Sequence, residues 1–112
     1  MPELPEVENV VLGLKKLIKN CIIESVLIRE KRIIAFPELD KFTQQIEDRK
    51  IIDISRRGKY ILIELSHQKT LVVHLRMTGK LLVKSSSENY LKHTHIVFKL
   101  NNGKDLRFNN VR

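Results

Sequence analysis

The amino terminus holds the residues with the most evident chemistry, Met1-Pro2-Glu3-Leu4-Pro5-Glu6-Val7-Glu8. Aminopeptidase removal of Met1 would expose a secondary amine on Pro2. An α-amine has a reference pKa of about 7.7–8.0, so part of it is unprotonated at neutral pH. Such an amine can attack a sugar C1′ or an aldehyde to give an iminium, which then undergoes elimination. Glu3 beside it and Glu6 three residues on supply carboxyls that could protonate a sugar oxygen or shuttle protons. The same residues are also ordinary helix-start signals, with Pro in the first turn and acids at the positive end. If Met1 is kept, the Pro2 nitrogen is an amide and the nucleophile is blocked.

Other reactive side chains are few. The lone Cys21 cannot form an internal disulfide or a four-ligand zinc site, so no metal is expected in this chain. Taken singly, Lys59 reads as a turn lysine after Gly58, Met77 as core filler beside Leu75, and His74 as a core or edge histidine.

Charge adds a direction. The 112 residues carry a net +8, divided unevenly: residues 1–48 sum to −2 and residues 49–112 to +10. The basic clusters are Arg49, Lys50, Arg56, Arg57 and Lys59, then Arg76, Lys80 and Lys84, then Lys92, Lys99, Lys104, Arg107 and Arg112. Cations carried on one sheet region could line a groove and release counterions from a phosphate backbone, which points to nucleic acid. No apolar run approaches the roughly 18 residues of a membrane-spanning helix, and the start has no signal-peptide pattern. The expectation is one domain, monomeric and cytoplasmic, with no membrane partner.

The elements that must position these residues follow from periodicity. Val7, Val10, Val11, Leu14, Leu17 and Ile18 recur at helical spacing over residues 5–19. Residues 21–28 and 32–36 are rich in β-branched side chains and read as strands that could pair as a hairpin. A second helix starts at Pro37, with Leu39, Phe42 and Ile46 on its inner face. Short strands are expected at 51–55, 60–65, 70–75, 81–83, 95–100 and 105–108, separated by turn signals such as Thr78-Gly79 and Asn101-Asn102-Gly103. Residues 85–89 read as a mobile loop. The fold class is α+β: a two-layer antiparallel β-sandwich flanked by an N-terminal helix and a second short helix. Ending at Arg112, soon after a strand, the chain is expected to be a fragment of a longer protein.

Four ordered motifs give a resemblance. Pro2-Glu3-Leu4-Pro5-Glu6-Val7-Glu8 resembles the start of bacterial formamidopyrimidine-DNA glycosylases, and Ser55-Arg56-Arg57-Gly58-Lys59-Tyr60 their basic strand-turn-strand motif. His74-Leu75-Arg76-Met77-Thr78-Gly79-Lys80 resembles their central loop, and Val111-Arg112 falls where their intercalation-loop arginine begins. The resemblance implies the N-terminal catalytic domain of a base-excision repair enzyme that removes oxidised purines, 8-oxoguanine or formamidopyrimidine, and then cuts the strand by β,δ-elimination. Pro2 would be the nucleophile, Glu3 the proton donor to the sugar oxygen, Glu6 a support for that site, and Lys59 a phosphate contact that assists the reaction. His74, Lys80 and His93, with His95 less directly, would meet the DNA backbone. Met77 would fill the gap left by a flipped nucleotide, and Arg112 would face the orphaned cytosine. Double-stranded DNA with damaged bases or abasic sites would be the partner. Thr78 stands where some members carry an acid, and Asn110 where Asp is common.

The family's helix-two-turn-helix and zinc-finger domain has no counterpart in these 112 residues, so zinc is expected only in that missing part. The implication is weak DNA binding and slow turnover by the isolated chain. Three rivals stay open: a DNA-binding module without catalysis, an endonuclease VIII-like glycosylase for oxidised pyrimidines, and a tautomerase using Pro2 as base. The Glu-Leu-Pro start and the Arg-Met-Thr-Gly-Lys loop speak against the second, and the +10 half gives no reason for the third.

Overall fold

The computed structural model describes residues 4–111, so expectations for Pro2, Glu3 and Arg112 lie outside the described residues. Helix α1 spans Leu4–Ile18, with Glu6 in its first turn and Lys15 and Lys16 in its last, each complementing the helix dipole. Val7, Val11, Leu14 and Ile18 fall on one stripe and are buried. Leu17, expected on that stripe, is exposed. Strand β1 follows at Ile23–Ile28 and helix α2 at Leu39–Ile46, the latter burying Phe42 and Ile46.

Six strands complete the chain: β2 (Ile51–Arg57), β3 (Tyr60–Leu65), β4 (Lys69–His74), β5 (Gly79–Ser85), β6 (Thr94–Leu100) and β7 (Lys104–Asn110). They form two antiparallel sheets, one ordered β1-β6-β7-β5 and the other β2-β3-β4. The α+β sandwich expected from the sequence is the fold observed. Ile61, Ile63 and Leu65 alternate into the core from β3. On β2, an irregularity between Ile51 and Asp53 breaks the two-residue period, so Ile51 and Ile54 are both buried while Ile52 is exposed.

Two expectations are corrected. Residues 32–36 form no strand: a 3-10 turn covers Lys31–Ile33, and β1 pairs instead with distant β6, Ile28 opposite Ile96. Ile33 and Ile34 pack partly buried against the core, so their β-branched character serves packing rather than pairing. The segment 85–89 is not loose either. The outer face of β7 carries Asp105 and Arg107, 0% and 3% exposed. Arg107 Nη2 donates to the carbonyls of Ser85 (3.3 Å) and Glu88 (2.7 Å), and Nη1 donates to that of Asn89 (3.2 Å). Ser86 Oγ donates to Asp105 Oδ1 at 2.6 Å. An ionic anchor therefore holds the β5–β6 loop over the sheet.

Candidate nucleic-acid interface

The β2–β3 hairpin comes to the start of α1 through one arginine. Arg56 Nε donates to Glu8 Oε2 at 2.6 Å, and Arg56 Nη1 donates to the Gly58 carbonyl at 3.0 Å. Gly58 has φ +58°, which lets the chain reverse within two residues. Lys59, the next residue, is half-buried, and Glu6 on the first turn of α1 is exposed. The motif string did not reveal Arg56 as the clamp between these parts. Its cue was a cation placed on the same short hairpin as the expected functional lysine.

His74 ends β4, opposite Tyr60 of β3, and the two rings meet edge to face with centroids 4.8 Å apart. Its Nδ1 accepts the Arg76 backbone N–H at 3.0 Å. With Nδ1 engaged as acceptor, Nε2 carries the proton and is left as a donor, the form suited to an anionic oxygen.

From His74 the chain turns tightly into β5. Arg76 has φ +57°, and the Gly79 N–H donates to the Leu75 carbonyl at 2.8 Å. A Cβ at position 79 would run into that same carbonyl oxygen, so only glycine fits the closure. The turn lifts Met77 out of the core, 64% exposed, while Leu75 beside it is buried. The plain reading of Met77 as core filler is overturned.

Three segments converge behind this turn. Thr78 Oγ1 donates to Asn110 Oδ1 at 2.6 Å, across 32 residues of sequence. The Asn110 N–H donates to the His93 carbonyl at 3.0 Å, and His95 Nε2 lies 2.6 Å from the Asn110 carbonyl, so it donates there. Lys80, exposed on β5, stands opposite Asn109 in the β5–β7 ladder. The structure thus brings Met77, Lys80, His93 and His95 to one end of the four-stranded sheet, next to the strand end leading to Val111.

Not every cation of the basic half faces outward. Arg107 is consumed by Asp105, and Arg49 donates to the carbonyls of Gln45 (2.6 Å) and Ser66 (3.2 Å). The signal for the first was legible in principle, because opposite charges two residues apart share one face of a strand. Arg57, Arg76, Lys80 and Lys92 are exposed. Among the described residues no three His, Cys, Asp or Glu side chains gather to hold a metal. No helix among them is long and apolar enough to cross a membrane.

The chain matches the family described as Formamidopyrimidine-DNA glycosylase N-terminal domain over residues 1–112. It is 46% identical over 112 residues to a formamidopyrimidine-DNA glycosylase of Pediococcus pentosaceus and 47% identical over 113 residues to one of Desulforamulus reducens. All of the chain is covered in both, against 40% and 41% of those relatives, so it spans about two fifths of their length. Among solved structures it is similar to Lactococcus lactis Fpg in complex with DNA containing an abasic site. The TM-score there is 0.94 at 32% identity, covering 99% of this chain and 41% of that one. A complex of the same bacterium's Fpg with Fapy-dG-containing DNA gives 0.93 at 33% identity, covering 98% and 41%.

Proposed function

We propose a function from one premise: the chain belongs to the formamidopyrimidine-DNA glycosylase family. Its role is the catalytic part of a base-excision repair enzyme acting in the cytoplasm, as a monomer, on double-stranded DNA that carries an oxidised purine. The observation that carries this reading is the Met77 turn: an apolar side chain held out in water, with His74 Nε2 and Lys80 beside it as donors. An exposed apolar wedge flanked by phosphate-binding groups suits a protein that enters a base stack while gripping the backbone. Inserting Met77 offsets part of the few kcal/mol that unstacking costs.

The chemistry belongs to the amino terminus. The Pro2 nitrogen attacks C1′, the glycosidic bond breaks, and the damaged base leaves with the bonding pair. Glu3 protonates the ring oxygen, which opens the sugar and leaves an iminium between Pro2 and C1′. Loss of a C2′ proton then expels the 3′ phosphate, and δ-elimination expels the 5′ phosphate. Glu6 supports the proton transfers, and Lys59 steadies the phosphate beside the lesion. Arg112 faces the orphaned cytosine, where its planar fork of donors matches acceptors on the pyrimidine edge.

Single-turnover incubation of excess protein with a duplex carrying one 8-oxoguanine opposite cytosine tests the reading. The expected products are free 8-oxoguanine and a gap ended by two phosphates, both lost in Pro2→Gly. Release of thymine glycol in preference would move the substrate class to oxidised pyrimidines, and release of neither base would refute the glycosylase role.

A further inference from the structure

Hydrogen bonds with Thr78, His93 and His95 meet at Asn110, at the end of the sheet. The turn bearing Met77 is tied through the Thr78 hydroxyl to Asn110, the last residue of β7. His95 and His93 brace the same residue from the backbone side at 2.6 and 3.0 Å. We propose that Thr78 and Asn110 form a latch that fixes the Met77 turn to the end of β7, so that the wedge enters the DNA stack from a set position. This rests on the proposed function and names positioning residues for it.

The chemistry of the pair is directional. Asn110 Oδ1 can only accept, so Thr78 must supply the proton, and a hydroxyl is the minimal group able to do so. The 2.6 Å separation is at the short end for an O–H···O bond, and both side chains are half-buried, which limits competition from water. Met77 itself makes none of these bonds. Without the latch its turn would still close through Gly79 and Leu75, and Gly79 would still stand opposite Asn110 in the β5–β7 ladder, but the Thr78 side chain would lose its hold on the Asn110 side chain. Both residues stand where the sequence departs from the resembled motifs, so the neutral Thr–Asn pair is a property of this chain.

The test uses a duplex with an abasic site and 2-aminopurine as the neighbouring base, whose fluorescence rises when the stack is opened by a wedge. Thr78→Val removes the donor at nearly constant volume, Thr78→Ser keeps it, and Met77→Ala is the control for the wedge. Loss of one such hydrogen bond is expected to cut the inserted population about three- to tenfold in Thr78→Val. Thr78→Ser restores the signal, and melting temperatures of the free proteins stay within about 2 °C of one another, as expected for one half-buried hydrogen bond. A normal signal in Thr78→Val, or no rescue by Ser, overturns the latch while leaving the glycosylase reading intact. If Met77→Ala leaves the signal unchanged, the wedge assignment falls and the latch falls with it. Should Thr78→Val melt much lower, Asn110→Asp decides: it keeps the acceptor, so it must retain the signal, and loss there overturns the proposal.

Discussion

Replacing Arg107 by Met should loosen one loop and cost the domain a large part of its stability. Arg107 Nε and Nη2 donate to Asp105 Oδ2 at 3.1 and 2.9 Å, and both residues are essentially inaccessible to water. Tyr90 lies over the guanidinium at 4.7 Å from ring centroid to Cζ, with Arg29 and Lys99 also within 6 Å of that ring. Removing one partner of a buried pair typically costs about 3–5 kcal/mol, because a buried charge is left uncompensated. Here the upper end is excluded, since Lys99 Nζ stays 3.7 Å from Asp105 Oδ1 and Ser86 still donates to that oxygen. The expected loss is therefore about 2–4 kcal/mol, or a fall of roughly 8–16 °C in melting temperature for a domain this size. Urea unfolding measures the first quantity and calorimetry the second. Amide exchange across residues 85–91 should accelerate as well, because three loop carbonyls lose their donor. The double variant Asp105→Val with Arg107→Met should be more stable than Arg107→Met alone, since it removes the stranded charge. A loss under 1 kcal/mol, or a double variant at the sum of the single losses, would refute the reasoning.

Three further outcomes are expected. Gly79→Ala pushes a Cβ against the Leu75 carbonyl and should cost about 1–3 kcal/mol in urea unfolding, with the Met77 turn displaced; a neutral variant would contradict the close approach. The Ile54 N–H, donating to Asp53 Oδ1 at 2.9 Å, and then Lys15 and Lys19 hold the Asp53 carboxyl below its ordinary value. The stability this gives is fully present above the unfolded value of about 3.9 and is lost as pH falls through the lower folded value. Melting curves of Asp53→Asn and the parent should thus differ at pH 7 and converge toward pH 2–3; a gap independent of pH would contradict this. If Lys80 and Arg76 meet phosphates, each change to Ala should lower the slope of log K against log salt for duplex binding by about 0.9, and an unchanged slope removes that residue from the interface.

Much of the architecture was legible because local signals agreed with one another. The α1 stripe, the β2–β3 hairpin around Gly58 and the closing strands were all marked by periodicity and turn residues. Residues 32–36 misled because β-branching reports packing against a surface and not which strand pairs with which. The β5–β6 loop misled because Ser85-Ser86-Ser87-Glu88-Asn89 is locally polar, while what fastens it lies about twenty residues later on β7. Arg107 was counted among surface cations for the same reason: its partner, Asp105, matters only once the strand is buried on both faces. At the site, Met77, His74 and Lys80 could be named from motif order, and their shared surface came from the fold. The Thr78–Asn110 bond joins residues 32 apart, and no spacing rule reaches that far.

The proposed function stands on an N-terminal Pro2 amine that forms a covalent iminium with deoxyribose. Borohydride trapping on a duplex with one abasic site tests it most directly, after an intact-mass check that Met1 has been removed. The account predicts a protein–DNA adduct that is stable to denaturation, absent in Pro2→Gly, and weakened in Lys59→Ala. With Met1 confirmed absent, an adduct that persists in Pro2→Gly, or none at all at saturating protein, would contradict it.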